Sequence, residues 1–163
     1  MSDELIWHIH EHTIPAALAL LPGRMDSPAA RAMLLAIGLQ ESKFTHRLQV
    51  PSGIAHGFWQ FEKNGGVKGV LDHPVTSPIV TPICELLCYY AVSSVCYEAI
   101  VHNDVLACVF ARLLLWTDPR ALPAEHEHGK GWDIYRDQWR PGKPHPEAWP
   151  ANFFEGWRLV KGA

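Results

Sequence analysis

The chain has 163 residues, of which 48% are hydrophobic and 19% are charged, and its formal net charge is −3. A chain of this length can bury a sizeable core, and this balance of residue types excludes a disordered protein. No strongly basic stripe occurs, which argues against a nucleic-acid-binding protein. We expect a single domain over residues 1–163.

The first half of the chain predicts two helices followed by a long loop. Residues 4–22 are apolar and predict a helix that is interrupted near Pro15. A second helix is predicted over residues 28–41, because Ser27 can cap its N-terminus and a proline suits its first turn. Residues 45–69 are polar, rich in glycine and aromatic, and have no helical period. They predict a long surface loop with short strand-like pieces, which is usually functional in a compact domain.

The longest apolar segment predicts one buried helix from Thr81 to about Val101. This segment contains two glutamates and is interrupted by serines, so it is not expected to span a membrane. The cysteines lie in this helix or in the next one, without the spread of a disulfide framework and without paired CxxC spacing. We therefore expect four buried free thiols, at Cys84, Cys88, Cys96 and Cys108.

Three more helices are predicted in the C-terminal part. The first is capped by Asn103 or Asp104 and ends at Trp116. A short helix is expected around residues 133–139, and the Pro-rich segment WRPGKPHPEAWP leads to a last helix over residues 151–160. The predicted class is mainly α, with a long loop or a small β excursion after the second helix.

Glu41 ends an apolar helix at a position where the helix dipole disfavours a negative charge. Leu34 and Ile37 precede it by spacings of four and three, so all three side chains share the core-facing side of the helix. Burial and the dipole both favour the protonated carboxyl at neutral pH. A protonated carboxyl can act as the general acid that glycosidic bond cleavage requires.

The segments ESKF and AHGFWQF, in this order, resemble the first two motifs of the lysozyme-like lytic transglycosylases, E-S-x-F and G-A-x-G-L-M-Q. The resemblance places Glu41 and Ser42 at the catalytic Glu-Ser of that family and Gln60 at the Gln of its second motif. Phe58 and Trp59 stand in place of the Leu and Met. These short motifs gain specificity from their order, one at a helix end and one in the following loop.

Two positions depart from the family pattern. Ile54 stands where the family usually has Gly, and the third motif, Ala-Tyr-Asn-Ala-Gly, has only LLLWTDP as a counterpart. That segment places Trp116 at the position of the Tyr and has no Asn. The Pro-rich segment near the C-terminus suggests a bacteriophage or prophage member of the superfamily.

The resemblance implies cleavage of peptidoglycan glycan strands between MurNAc and GlcNAc by one carboxyl group, Glu41, with a 1,6-anhydro product. A hydrolytic lysozyme would need a second carboxylate, for which Glu62 is the first candidate and Asp118 the next. The other side chains expected to contact the substrate, each with a purely structural role as the alternative, are Ser42, Phe58, Trp59, Gln60 and Trp116.

Two other functions are kept as alternatives. The missing Asn favours a non-catalytic lysozyme-like virion or interaction protein. A metal-dependent amidase or peptidase would use histidines, but His8, His10 and His12 share one face only if they lie on a strand. No H-E-x-x-H spacing occurs, and we expect neither a metal nor a cofactor.

The N-terminal sequence MSDELIWHIHEH has no basic region followed by a long apolar stretch, so no secretory signal is predicted. We expect synthesis in the cytoplasm and action on the bacterial cell wall or within a phage particle. The expected partners are peptidoglycan glycan strands, together with a holin pore or a virion that delivers the protein.

Overall fold

The computed structural model describes residues 2–162, and this part of the chain is mainly helical. The helices are α1 (Ser2–His8), α2 (Ile14–Ala19), α3 (Pro28–Glu41), α4 (Lys68–Asp72), α5 (Ser77–Leu86), α6 (Ser93–His102), α7 (Asp104–Trp116), α8 (His128–Trp139) and α9 (Trp149–Lys161). The β structure among the described residues consists of isolated bridges that join Leu48 to His56 and His56 to Phe61. The predicted mainly-α class is confirmed, and the β excursion after α3 is limited to these bridges.

Helix α7 lies at the centre of the fold. Every residue from Leu106 to Leu115 is buried, and the helix contacts α2, α3, α4, α5, α6 and α8. The Asn103 side chain accepts a hydrogen bond of 2.9 Å from the backbone N–H of Leu106, which confirms the predicted cap. Within residues 2–162, neither this helix nor any other is long and apolar enough to cross a membrane.

Helix α3 packs along α9, and next to Glu41 the Asn152 Nδ2 of α9 donates to Gln40 Oε1 at 2.8 Å. The predicted cap of α3 is confirmed, because Ser27 Oγ accepts a hydrogen bond of 3.1 Å from the Ala30 N–H. A Cβ atom on Gly156 would lie 2.5 Å from the carbonyl oxygen of Ala32. Only glycine therefore lets the two backbones approach so closely. Helices α8 and α9 are the two predicted C-terminal helices, and both begin earlier than expected.

The N-terminal helix is interrupted as predicted. A π-helical turn over Ile9–Thr13 separates α1 from α2 and lies immediately before the start of α2, where Pro15 is found. His8, His10 and His12 therefore lie on helical backbone, and the strand face that a metal site of alternating histidines would need is not formed.

The prediction of one continuous helix over residues 81–101 is wrong. Helix α5 ends at Leu86 and α6 begins at Ser93, because Cys88 between them has a left-handed φ of 66° that no helix can continue through. The chain folds back so that Cys84 Sγ and Cys96 Sγ lie 3.7 Å apart in the core. Cys88 is exposed, so the prediction of four buried thiols is wrong for this residue.

The long loop after α3 is shorter than predicted. Residues 42–62 contain no helix, but Lys63–Val67 form a π-helical turn that leads into α4. The predicted loop over residues 45–69 is therefore irregular only in its first part, which faces the end of α3.

Candidate active site

A cavity of about 1140 Å³ opens beside the C-terminal end of α3. Its walls come from the end of α3, the loop over residues 42–62, the turn before α4, the end of α7 and the segment from the middle of α8 to the start of the Pro-rich region. This cavity brings together four of the predicted site residues, Glu41, Ser42, Gln60 and Glu62.

The carboxyl group of Glu41 is partly buried at the edge of this cavity. Burial raises its pKa to about 7, and a hydrogen bond from the Tyr135 hydroxyl acts in the opposite direction. That hydrogen bond runs from Tyr135 Oη to Glu41 Oε1 and is 2.5 Å long. Both protonation states are therefore populated near neutral pH, as a group that first donates and then accepts a proton requires.

Tyr135 is the site residue that the sequence analysis missed. Its ring stacks on Trp149 with a centroid distance of 5.1 Å and an interplanar angle of 8°. Burial raises the pKa of the Tyr135 hydroxyl, which therefore stays protonated and acts as a donor to Glu41. A signal was present in the sequence, because Trp132, Tyr135 and Trp139 are spaced by three and four and share one side of α8.

Ser42 holds the loop that follows α3. Its buried hydroxyl donates to the carbonyl oxygen of Phe58 at 2.7 Å and accepts a hydrogen bond of 3.1 Å from the Phe44 N–H. The structure thus gives Ser42 a loop-holding role, and because Ser42 also lines the cavity, its substrate contact stays a prediction.

Phe58 and Trp59 lie in the core, where their side chains are 1% and 0% exposed. The indole N–H of Trp59 donates to the carbonyl oxygen of Leu34 at 2.8 Å, and the Phe44 ring meets both aromatic rings edge-on. The prediction that Phe58 and Trp59 stack on sugar rings is wrong, because neither ring has a free face. Both side chains pin the loop to α3.

Gln60 and Glu62 remain on the wall of the cavity. Gln60 has a left-handed φ of 52°, and its Nε2 donates to the carbonyl oxygen of Gly57 at 2.8 Å. Glu62 is exposed and has no ion-pair partner among residues 2–162. A carboxylate of this kind is free to act on a water molecule or a substrate hydroxyl.

Trp116 and Asp118 lie elsewhere, on the wall of a second cavity of about 560 Å³. Asp118 accepts hydrogen bonds from Arg120 and Gln138, and the bond with Arg120 is the main reason why its pKa falls to about 2. Trp116 as a sugar platform beside Glu41 and Asp118 as a second catalytic carboxylate are therefore wrong predictions, since neither residue lines the cavity of Glu41.

The Pro-rich segment supplies the far wall of the Glu41 cavity. Arg140 and Lys143 line it, and Gln40 Nε2 donates to the carbonyl oxygen of His145 at 3.0 Å, which ties the segment to α3. The acidic residues that line the cavity are Glu41 and Glu62, whereas the basic residues include two cations and three histidines. The two acidic side chains and the two cations balance in formal charge, and Arg140 and Lys143 can pair with carboxylate groups of a ligand.

None of the protein-family models matches the chain, and comparison with curated proteins and with solved structures gave no significant match. The function is therefore inferred from the geometry and chemistry of the cavity.

Proposed function

We propose that the chain has a lysozyme-like fold and cleaves peptidoglycan glycan strands between MurNAc and GlcNAc, with Glu41 as the single general acid and base. The observation that carries the proposal is the partly buried Glu41 carboxyl, with its pKa near 7, on the wall of a large cavity. A cavity of about 1140 Å³ has room for an oligosaccharide.

In the proposed reaction, protonated Glu41 transfers its proton to the bridging oxygen as the bond between that oxygen and C1 of MurNAc breaks. The Glu41 carboxylate then takes the proton of the C6 hydroxyl, whose oxygen forms the new bond to C1. The products are a 1,6-anhydro sugar and a free GlcNAc hydroxyl, and Glu41 is protonated again. The Tyr135 hydroxyl orients the carboxyl and stabilises its charged form between the two transfers.

A hydrolytic lysozyme is the second candidate, and the position of Glu62 favours it. Glu62 lines the same cavity as Glu41, is exposed and lacks an ion-pair partner among the described residues. A carboxylate in this position could activate water in place of the sugar hydroxyl, which would give a reducing end.

The two cations of the cavity wall also support the choice of substrate. Peptidoglycan strands carry peptides with carboxylate groups, with which Arg140 and Lys143 can pair. We propose that the protein acts at the bacterial cell wall and is delivered by a holin pore or a phage particle.

The test is mass spectrometry of the soluble products released from purified peptidoglycan. The samples are the wild type, Glu41→Gln, Glu62→Gln and, as a matched control, Glu98→Gln, which removes an exposed carboxylate outside the cavity. We expect anhydro-muropeptides from the wild type and the control, and a loss of roughly 10²- to 10⁴-fold in rate for Glu41→Gln.

The products separate the alternatives. Reducing-end muropeptides that disappear in both Glu41→Gln and Glu62→Gln would establish the hydrolase instead. If the wild type binds peptidoglycan and releases no product, the enzyme proposal is wrong and a non-catalytic role in the virion replaces it.

A further inference from the structure

The second cavity lies at the other end of α3, and its lining holds three arginines and one carboxylate, Asp118, which is paired with Arg120. It has a volume of about 560 Å³, and its lining includes Arg24, Arg112 and Arg120, together with Trp116. Ser27 and Ala29, at the N-terminal end of α3, complete one side. Nothing in the proposed reaction uses these residues.

Arg112 is a buried cation that forms no ion pair within residues 2–162. It is 3% exposed, and its Nε donates to the carbonyl oxygen of Met25 at 2.7 Å. The nearby Asp26 is held by Arg31 through two hydrogen bonds of 2.8 Å and acts on Arg112 only from beyond ion-pair distance. Burial lowers the pKa of Arg112 to about 10, and Asp26 offsets only part of this effect.

A second cation, Arg24, lies beside the same aromatic ring as Arg112, the ring of Trp116. Arg24 Cζ lies 5.6 Å and Arg112 Cζ 5.3 Å from the centroid of the Trp116 ring. Arg24 is exposed and forms no ion pair within the described part of the chain. Arg120 differs from both, because it is already paired with Asp118 and Asp137. Two guanidinium groups are therefore available to a ligand.

The backbone adds a donor to these side chains. Ser27 Oγ caps the Ala30 N–H, and Pro28 has no N–H, so the N–H of Ala29 is the free donor in the first turn of α3. The N-terminal end of a helix also carries partial positive charge and binds anions. The 14-residue helix places this end about 20 Å from Glu41.

We propose that this second cavity binds a phosphate group through Arg112, Arg24 and the N-terminal end of α3. A carboxylate would compensate only one of the two free guanidinium groups, whereas a phosphate dianion compensates both. The planar donors of arginine match the oxygens of phosphate in pairs. The group belongs either to inorganic phosphate or to a phosphomonoester, whose attached carbon skeleton would lie against Trp116.

The test is isothermal titration calorimetry and thermal unfolding with sodium phosphate, at mildly alkaline pH and at constant ionic strength. The variants are Arg24→Gln, which changes an exposed side chain, and Arg112→Lys. Arg136→Gln is the control, because Arg136 is an exposed arginine of α8 outside this cavity. We expect one phosphate per chain, a rise in Tm, and an affinity about tenfold lower in each cavity variant. The control should bind as the wild type does.

Other ligands identify the source of the group. Tighter binding of glycerol 3-phosphate than of inorganic phosphate supports a phosphomonoester, and equal binding supports the free ion. The proposal is overturned if millimolar phosphate gives neither heat nor a Tm shift with the wild type, if acetate binds as well as phosphate, or if Arg24→Gln binds phosphate unchanged. Since Arg24 is exposed, the last result is informative even if Arg112→Lys fails to fold. The muropeptide assay is independent of all these outcomes.

Discussion

Two apolar segments of the chain pack in opposite ways. In α3 every residue from Ala32 to Leu39 is buried, and the helix runs unbroken to Glu41. The segment that connects α5 to α6 is just as apolar, yet it turns at Cys88 and leaves Tyr90 81% exposed.

The difference shows that a partner surface, more than apolar composition, decides how such a segment folds. Helix α3 contacts α9 on one side and α7 on another. The missing side chain of Gly156 in α9 lets the backbone of α3 come close. Within the described residues, the turn between α5 and α6 is covered only in part, because Leu87, Tyr89 and Ala91 pack against the core while Tyr90 is exposed. Helix α3, which is packed on two sides, thus carries Glu41, whereas the turn between α5 and α6 carries exposed apolar side chains.

The contact of α3 with α9 should be the most sensitive point. In Gly156→Ala the added Cβ would lie 2.5 Å from a backbone oxygen of α3, which cannot move aside as a flexible side chain could. We expect a loss of about 3 kcal/mol in the free energy of unfolding, measured by chemical denaturation. The control is Gly129→Ala in α8, where no atom beyond the neighbouring backbone of the same helix lies within 4 Å of the added Cβ. Equal stability of the two variants would show that the α3–α9 contact is not tight.

The burial of Glu41 should appear in the pH dependence of stability. The pKa of Glu41 is raised from 4.5 to about 7 on folding, so between these values the folded state binds more protons than the unfolded state. Stability is therefore lost as pH rises through this range. Glu41→Gln removes the loss, and above pH 7 we expect it to be about 3 kcal/mol more stable relative to wild type than at pH 4.

Urea titrations across this pH range measure the difference, and Glu98→Gln, at an exposed position, is the control. A gap that stays constant with pH would mean that the Glu41 carboxyl titrates as an ordinary solvated acid.

Tyr135→Phe tests the hydrogen bond that the Tyr135 hydroxyl donates to Glu41. Removal of the hydroxyl should cost about 1 kcal/mol of stability and raise the pKa of Glu41, because the hydrogen bond from Tyr135 lowers it. The alkaline limb of the pH–rate profile on peptidoglycan should therefore move to higher pH. NMR titration of the Glu41 carboxyl gives the same information without turnover. A limb or a titration that moves to lower pH would contradict this role.

The exposed turn should give the smallest effect. Tyr90→Ser is expected to change stability by less than about 0.5 kcal/mol, because the side chain is already in solvent. Phe44→Leu, at a side chain that is 1% exposed beside α3, should cost about 2 kcal/mol. If the two variants had similar midpoints in thermal unfolding, the surroundings of α3 would contribute no more to stability than the exposed turn between α5 and α6.

The sequence predicted those features that depend on a few neighbouring residues. Ser27 and Asn103 signalled the starts of α3 and α7 because each cap bonds an N–H three positions away. The raised pKa of Glu41 followed from its place on a buried helical stripe. The turn at Cys88 was missed, since it depends on α6 folding back against α5 and the rest of the core.

The other half of the site depends on distant parts of the chain. Tyr135 is 94 positions from Glu41, and no local pattern links the two. The same holds for Trp59, whose indole N–H donates to the Leu34 carbonyl and whose own carbonyl accepts from Trp139 of α8. An aromatic residue in a loop is equally consistent with a ligand platform and with an anchor, and only the fold distinguishes them.

The anchoring of the loop over residues 42–62 has a thermodynamic consequence. Three hydrogen bonds, from Ser42 to Phe58, from Trp59 to Leu34 and from Trp139 to Trp59, hold it from within the protein. Ordering such a loop costs about 1–2 kcal/mol of backbone entropy per residue, and here folding meets that cost before any ligand arrives. Affinity for a ligand at this wall is thus linked to loop order, and a substitution that frees the loop weakens binding without touching the ligand.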